Sequence, residues 1–203
     1  MAKKIKTNKK AKIRKIPAKT IKYLEDAGVK HELLEHRTVY TAIDAAITMK
    51  KKFDEVAKSL LVKADKDYYV VLLPADHNLD MEKLKKALVK VRAKEIKVVK
   101  IPGEKIAREV LKIKDDAMAA FGNLYKLPVI MENKLEKAKK LILSSGSYNH
   151  SIEMAVKDFM VLEKALIGSF GVKKKIKTPR KTSPKAKTVR KKITKKKVVR
   201  KRK

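Results

Sequence analysis

The residues from Val56 to Asp80, VAKSLLVKADKDYYVVLLPADHNLD, constrain the fold more than any other stretch. An apolar run, Ser59-Leu60-Leu61-Val62, is followed by the turn residues Asp65-Lys66-Asp67 and a second run, Tyr68 to Leu73. Two such runs around a polar turn predict a β-hairpin, and a hairpin requires at least one antiparallel pair. Asp80 then stands as the N-cap of a helix whose apolar positions Met81, Leu84, Leu88 and Val91 step at helical spacing. The first strand opens on Lys58. On an edge strand such a lysine lays its stem on apolar surface and sends its head to water. At the rim of an apolar pocket the same ammonium orients or polarises a bound group. Spacing alone favours the first reading.

Around the hairpin, helices and strands interleave. Thr20 to Ala27 reads as a helix with Thr20 as N-cap, Ile21 and Leu24 inward and Gly28 as C-cap. Val29 to His36 reads as a strand. Thr41 caps a helix from Ala42 to Met49 with Ile43, Ala46 and Ile47 on its inner face. A short strand, Ile96 to Lys100, ends at Pro102-Gly103, and a helix from Glu104 to Leu111 is expected to bury Ile106 and Val110. Pro128 to Met131, Leu141 to Leu143 and Ser151 to Met154 read as strands, with a helical turn at Lys134 to Lys139 and a closing helix over Val156, Phe159, Met160 and Ala165. The fold class that follows is α/β: a mixed, largely antiparallel sheet flanked by helices.

Charge divides the chain. Residues 1–19 carry nine Lys/Arg and no acid, and residues 173–203 carry eighteen and no acid. Residues 20–172 hold 28 basic against 22 acidic residues, a net charge of only +6 in a chain of +33. The expectation is one folded domain, 20–172, between a basic N-terminal arm and a Lys/Arg-rich tail that lack the apolar surface to offset ordering entropy. Polycations of this kind attract phosphate and release its counterions, so binding is salt-sensitive and indifferent to sequence: RNA and DNA both qualify. An anionic membrane is the weaker partner, because the tail has no clear apolar face to insert. The chain has no cysteine, which excludes disulfide and thiolate chemistry, and no apolar run approaches bilayer length. A cytoplasmic protein is the expectation, and the sequence leaves the oligomeric state open.

Four histidines invite a metal site, but His31, His36, His77 and His150 show no metal-binding spacing, so neither metal nor cofactor is expected. There is no GxSxG elbow and no glycine-rich phosphate loop. Tyr68 and Tyr69 are adjacent on a strand and face opposite ways, so at least one belongs to the core. Beyond the Lys58 strand, two segments read as site loops. One is AMAAFGNLYKL, Ala117 to Leu127, where Gly122 permits a tight turn or a close approach. The other is Ser144 to His150, SSGSYNH, dense in donors and acceptors between two strands. Each alone is an ordinary polar turn.

Taken in order, these segments resemble the YbaK/prolyl-tRNA-synthetase-associated domain family, trans-editing deacylases that hydrolyse misacylated tRNA. VAKSLLV is similar to the family's VAKTLVV strand, and LPADHNLDMEKL to its LPA-x-H-x-LD-x-x-KL segment. FGNLYKLPVIMENKL resembles PFGNLYGLPVYVDE-x-L, and GSYNHSIEM the family's glycine-rich turn and strand. The resemblance spans roughly residues 20 to 170. It implies that Lys58 is the key lysine, with Ser59 at the neighbouring hydroxyl position. It also implies that Phe121, Gly122, Ser144, Ser145, Gly146 and Ser147 shape the aminoacyl pocket; the chemistry of ester hydrolysis adds the expectation that backbone N–H groups near Gly122 or Gly146 serve as oxyanion donors. The chain departs from the family in the loop before Phe121. Where relatives carry a glycine and a proline, Asp116 and Ala120 stand, which changes the allowed backbone angles, removes a rigid turn and brings a carboxylate toward Lys58. The implied function is trans-editing hydrolysis with the basic arms tethering tRNA. The alternative is a scaffold that has lost the chemistry and acts as a basic-tailed nucleic-acid-binding protein.

Overall fold

A computed structural model describes residues 17–93, 95–113 and 117–174. Asp116 and nearly all of the two basic arms lie outside these residues.

The chain opens with α1 (Ala18–Asp26), β1 (His31–Glu35) and α2 (Ala42–Met49), then the hairpin strands β2 (Ala57–Ala64) and β3 (Asp67–Pro74). A short β4 (His77–Leu79) leads into α3 (Met81–Arg92), β5 (Val99–Lys100) and α4 (Glu104–Leu111). A 3-10 turn at Gly122–Tyr125 precedes β6 (Val129–Glu132), α5 (Asn133–Glu136), β7 (Lys140–Ser144) and β8 (His150–Ala155). The described fold closes with α6 (Val156–Glu163), β9 (Leu166–Gly168) and β10 (Gly171–Lys173).

The expected mixed, largely antiparallel α/β architecture is present. A five-stranded sheet runs β5-β2-β3-β6-β9, antiparallel at β5–β2 and β2–β3 and parallel at β3–β6 and β6–β9. A three-stranded antiparallel sheet, β1-β8-β7, meets it where Val56 bridges Ile142 and the Ile142 amide donates to the Glu55 carbonyl at 2.8 Å. β10 and β4 form a separate antiparallel pair. The hairpin is central because β3 is buried on both faces. Val70 and Leu72 enter a core with Phe121, Phe159 and Leu141, while Tyr69, Val71 and Leu73 enter another with Leu84, Leu88 and Phe170. That explains why the Tyr68–Leu73 run does not alternate with polar residues.

Caps and turns follow local chemistry. The Thr41 hydroxyl accepts the Asp44 amide and the Asp80 carboxylate the Lys83 amide, each satisfying an N-terminal donor of its helix. Gly28 follows α1 at φ +65°, as a left-handed helix exit requires.

Four readings change. Thr20 is not a cap, since α1 begins at Ala18; its buried hydroxyl donates instead to the Ser145 carbonyl at 2.6 Å. Ile47 is 53% exposed, and α2 buries Ala45 and Ala46. Val91 is exposed, while Leu84 and Leu88 anchor α3. Ile106 is 46% exposed, Val110 is only partly buried, and α4 fully buries Leu111 alone. Helical spacing identifies an apolar face but not whether another element covers it.

Candidate active site

Among the described residues, β5 pairs with β2 only at Lys63 and Ala64, so the start of β2 has an open edge on that side. Along this open edge, Val56 to Leu60 form one wall of a cleft of about 390 Å³. Ala117 and Met118, Leu143 and Ser144, and the loop residues His36, Tyr40, Ser147 and Tyr148 complete it. Ala42, Ala45, Ala57 and Ala117 are among its lining residues, beside the larger Leu60, Met118 and Ile142.

Lys58 and Ser59 are neighbours on a strand and so leave it on opposite faces. Lys58 is half-buried, and its Nζ donates to the His77 carbonyl at 2.7 Å. No carboxylate lies within ion-pair distance of it among the described residues. Burial, with a second contribution from the Lys174 ammonium, pulls its pKa below the ordinary lysine value. The segment that accepts Lys58 is itself braced. Asp76 Oδ1 lies 2.7 Å from His77 Nδ1, and Lys134 Nζ lies 3.0 Å from His77 Nε2. The Ser59 hydroxyl is buried and has no hydrogen-bond partner among the described residues. Such a group carries a desolvation cost that a ligand polar atom would relieve.

Of the other residues singled out by resemblance, Ser144 and Ser147 line the same cleft. Gly146 sits at φ +90° and lines a neighbouring cleft with Thr20, Ala119 and Tyr125. Its N–H donates to the Ser144 hydroxyl at 3.5 Å, a long contact. Ser145 is buried, and its hydroxyl donates to the His150 carbonyl at 2.6 Å.

Phe121 and Gly122 are placed elsewhere. Phe121 is fully buried and meets Tyr23 and Phe159 edge-on, with centroids 6.0 and 5.8 Å away. A Cβ on Gly122 would collide with the Leu127 carbonyl and the Val129 side chain, so close backbone packing dictates the glycine. The Asn123 amide donates at 3.0 Å to the buried Glu163 carboxylate, which also accepts from the Tyr23 hydroxyl at 2.8 Å. Gly122 is not among the residues that line the Lys58 cleft. Burial pushes the Glu163 pKa up against these hydrogen bonds, and burial likewise drives Tyr23 up to about 12.

The altered loop acquires a clear role at its C-terminal end. Ala120 N–H donates to the Ser144 carbonyl at 2.9 Å, a bond that proline at this position would lack. Asp116, expected near Lys58, lies outside the described residues, and the described partner of Lys58 is a main-chain oxygen.

The cleft also holds residues that sequence reasoning passed over. His36 Nδ1 lies 2.8 Å from the Arg37 carbonyl, which assigns the proton to Nδ1 and leaves Nε2 to accept the Ser151 hydroxyl at 3.0 Å. Tyr40 and Tyr148 stand at the mouth with ring centroids 5.1 Å apart. The available signal was their position: each tyrosine sits in a polar turn beside a cap or a glycine. A second cleft of about 440 Å³ shares Ile142 with the first and is lined by Lys51, Lys52, Lys134, Lys137, Lys139 and Lys140. Glu153 braces it, accepting from Lys51 at 2.6 Å and from Lys140 at 2.7 Å.

Comparison with solved structures finds the same fold repeatedly. A candidate trans-editing enzyme for prolyl-tRNA synthetase superposes with a TM-score of 0.65 at 17% identity, covering 77% of this chain and 96% of that one. A scaffold used for computational epitope backbone grafting gives a TM-score of 0.65 at 16% identity over the same shares. A candidate signal transduction protein from Marinobacter aquaeolei gives 0.59 at 17% identity, over 78% of this chain and 31% of that one. At such identities the likeness establishes the fold. No curated protein sequence matches. The family assignment comes from the sequence itself: residues 36–162, which carry the Lys58 strand, the Phe121–Tyr125 turn and the Ser144–His150 loop, match the aminoacyl-tRNA editing domain. This chain belongs to the aminoacyl-tRNA editing domain family.

Proposed function

We propose that this protein hydrolyses, in trans, the ester bond of misacylated tRNA, with Lys58 holding the aminoacyl end. The observation that carries the reading is the state of Lys58: half-buried at the cleft wall, fixed by a carbonyl, its charge unneutralised by any described carboxylate. An aminoacyl ester is already activated, so the site needs position and charge more than a protein nucleophile. Water adds to the ester carbonyl, the Lys58 ammonium stabilises the negative charge growing on the carbonyl oxygen, and the C–O bond to the ribose breaks. One proton of the attacking water ends on the ribose oxygen, the other passes to solvent, and the amino acid leaves as its carboxylate. Ser59, Ser144 and Ser147 supply hydroxyls to orient the substrate, and the alanine lining suits a small amino-acid side chain.

The basic arms serve as an electrostatic tether that raises the local concentration of acceptor ends. The lysine-lined cleft next to the site adds a phosphate-attracting surface on the folded domain. Removing residues 175–203, which leaves β10 intact, is expected to weaken tRNA binding and flatten its salt dependence while sparing turnover of a minimal aminoacyl-nucleotide.

The test is a deacylation panel of several mischarged tRNAs with the wild type and Lys58→Ala, each checked for an unchanged melting temperature. The expected result is turnover of at least one substrate by the wild type and about a hundredfold less, or none, by the variant. Equal turnover by the two overturns the role of Lys58. No turnover on any substrate, with salt-sensitive binding of tRNA and duplex DNA alike, replaces the reading with a nucleic-acid-binding scaffold.

A further inference from the structure

Tyr40 is the conspicuous surface aromatic of the described fold, 76% exposed, and it stands at the mouth of the Lys58 cleft rather than on an arbitrary face. Isolated exposed apolar residues need no explanation, but this one is paired. The Tyr148 ring lies 5.1 Å from it, tilted by 54°, and lines the same cleft.

The pair is held in place by the backbone beneath it. The His36 amide donates to the Asn149 carbonyl at 2.9 Å, and the Val39 amide donates to the Tyr148 carbonyl at 2.9 Å. The Asn149 side-chain amide donates to the Thr38 hydroxyl at 2.8 Å. Three hydrogen bonds thus staple the 36–40 loop to the 148–149 loop. On one side Thr41 starts α2 with its own cap, and on the other His150 starts β8. Neither ring is needed to fill the core, since neither is buried and no hydrophobic cluster includes them. An exposed aromatic pair on a fixed support, opening onto a cleft, is a platform for a flat π-system.

We propose that Tyr40 and Tyr148 form a stacking subsite for the nucleobase of the substrate's terminal nucleoside. This rests on the deacylase reading and deepens it: the base stacks at the mouth, the ribose spans the rim, and the ester reaches Lys58 and Ser59 inside. Every nucleobase has a π-face, so the subsite recognises a base by shape and not by hydrogen-bond pattern. It works without phosphate, which separates it from the basic arms and the lysine cleft.

The experiment uses the full-length protein and alanyl-adenosine, a substrate with no phosphate. Base–aromatic stacking lost by alanine substitution predicts a KM higher by about 5- to 150-fold for Tyr40→Ala, with kcat within about twofold. Tyr40→Phe, which keeps the ring, is expected to restore the wild-type KM, and Tyr40→Leu, which keeps bulk without a π-face, is not. An unchanged KM in Tyr40→Ala, or a Tyr40→Phe variant as impaired as Tyr40→Ala, overturns the proposal.

A second measurement is independent of turnover. The chain has no tryptophan and six tyrosines, so its intrinsic fluorescence reports tyrosine. Free adenosine is expected to quench part of that signal, ribose to leave it unchanged, and Tyr40→Ala to abolish the quenching. Equal effects of ribose and adenosine, or undiminished quenching in Tyr40→Ala, overturn the subsite. A wild type that turns over no ester but is quenched in this pattern refutes the deacylase reading and keeps the stacking platform.

Discussion

The start of β2 and the Phe121–Tyr125 turn are equally prominent in the sequence, and the structure uses them in opposite ways. At β2, polar groups are left available: among the described residues no carboxylate pairs with Lys58, and the Ser59 hydroxyl is buried without a described partner. At the turn, polar groups are consumed. The Asn123 side chain donates to the Tyr23 hydroxyl and the Leu162 carbonyl, its amide donates to Glu163, and the Tyr125 hydroxyl accepts the Ala119 amide at 2.9 Å. The difference teaches that a motif's strength does not distinguish chemistry from scaffolding. Unspent hydrogen-bonding capacity beside a cleft does.

Substitutions should split along that line. Phe121→Ala removes a fully buried ring and is expected to cost about 3–5 kcal/mol of stability, read as a lowered urea midpoint. Lys58→Ala is expected to lower deacylation about a hundredfold or more while leaving that midpoint unchanged. A large stability loss in Lys58→Ala would erase the contrast. Gly122→Ala forces a methyl group against Leu127 and Val129, and about 1–3 kcal/mol of destabilisation should follow, with kcat of the folded fraction preserved.

Alkaline titration separates the regions as well. The folded state holds the Tyr23 proton up to about 12, above the unfolded value of 10.0, so stability falls as pH rises between these values. Tyr23→Phe should flatten that limb in pH-dependent melting. Lys58 is shifted the other way, so its charged form is disfavoured in the fold and that penalty is relieved as pH rises through its lowered pKa. Lys58-dependent turnover, corrected for spontaneous ester hydrolysis, should therefore fall as pH rises, with its midpoint below 10.5. The smallest effect expected is for Ser59→Ala: a KM change of about fivefold with stability unchanged or slightly raised, since a buried unpaired hydroxyl is removed.

Much of the fold was legible because β3 and the Thr41 and Asp80 caps are local, strong signals. β4, β9 and β10 were not, being three-residue strands whose pairing depends on partners distant in the chain. Lys58, Ser59, Ser144 and Ser147 were legible as cleft residues through motif order. Gly122 was misleading for a physical reason: a glycine tolerated for ligand approach and one demanded by backbone packing look the same in sequence. His36, Tyr40 and Ser151 were invisible because the cross-loop hydrogen bonds and sheet register that gather them connect residues more than a hundred positions apart.

The acceptor that holds Lys58 is a peptide oxygen, and every residue type at position 77 provides one. The lysine's anchor is thus insulated from point substitution at its own contact, in a way that a carboxylate partner could not be. Only a change in the path of the chain between Pro74 and β4 can release it. Drift in the surrounding side chains can then reshape the cleft without first dislodging the cation.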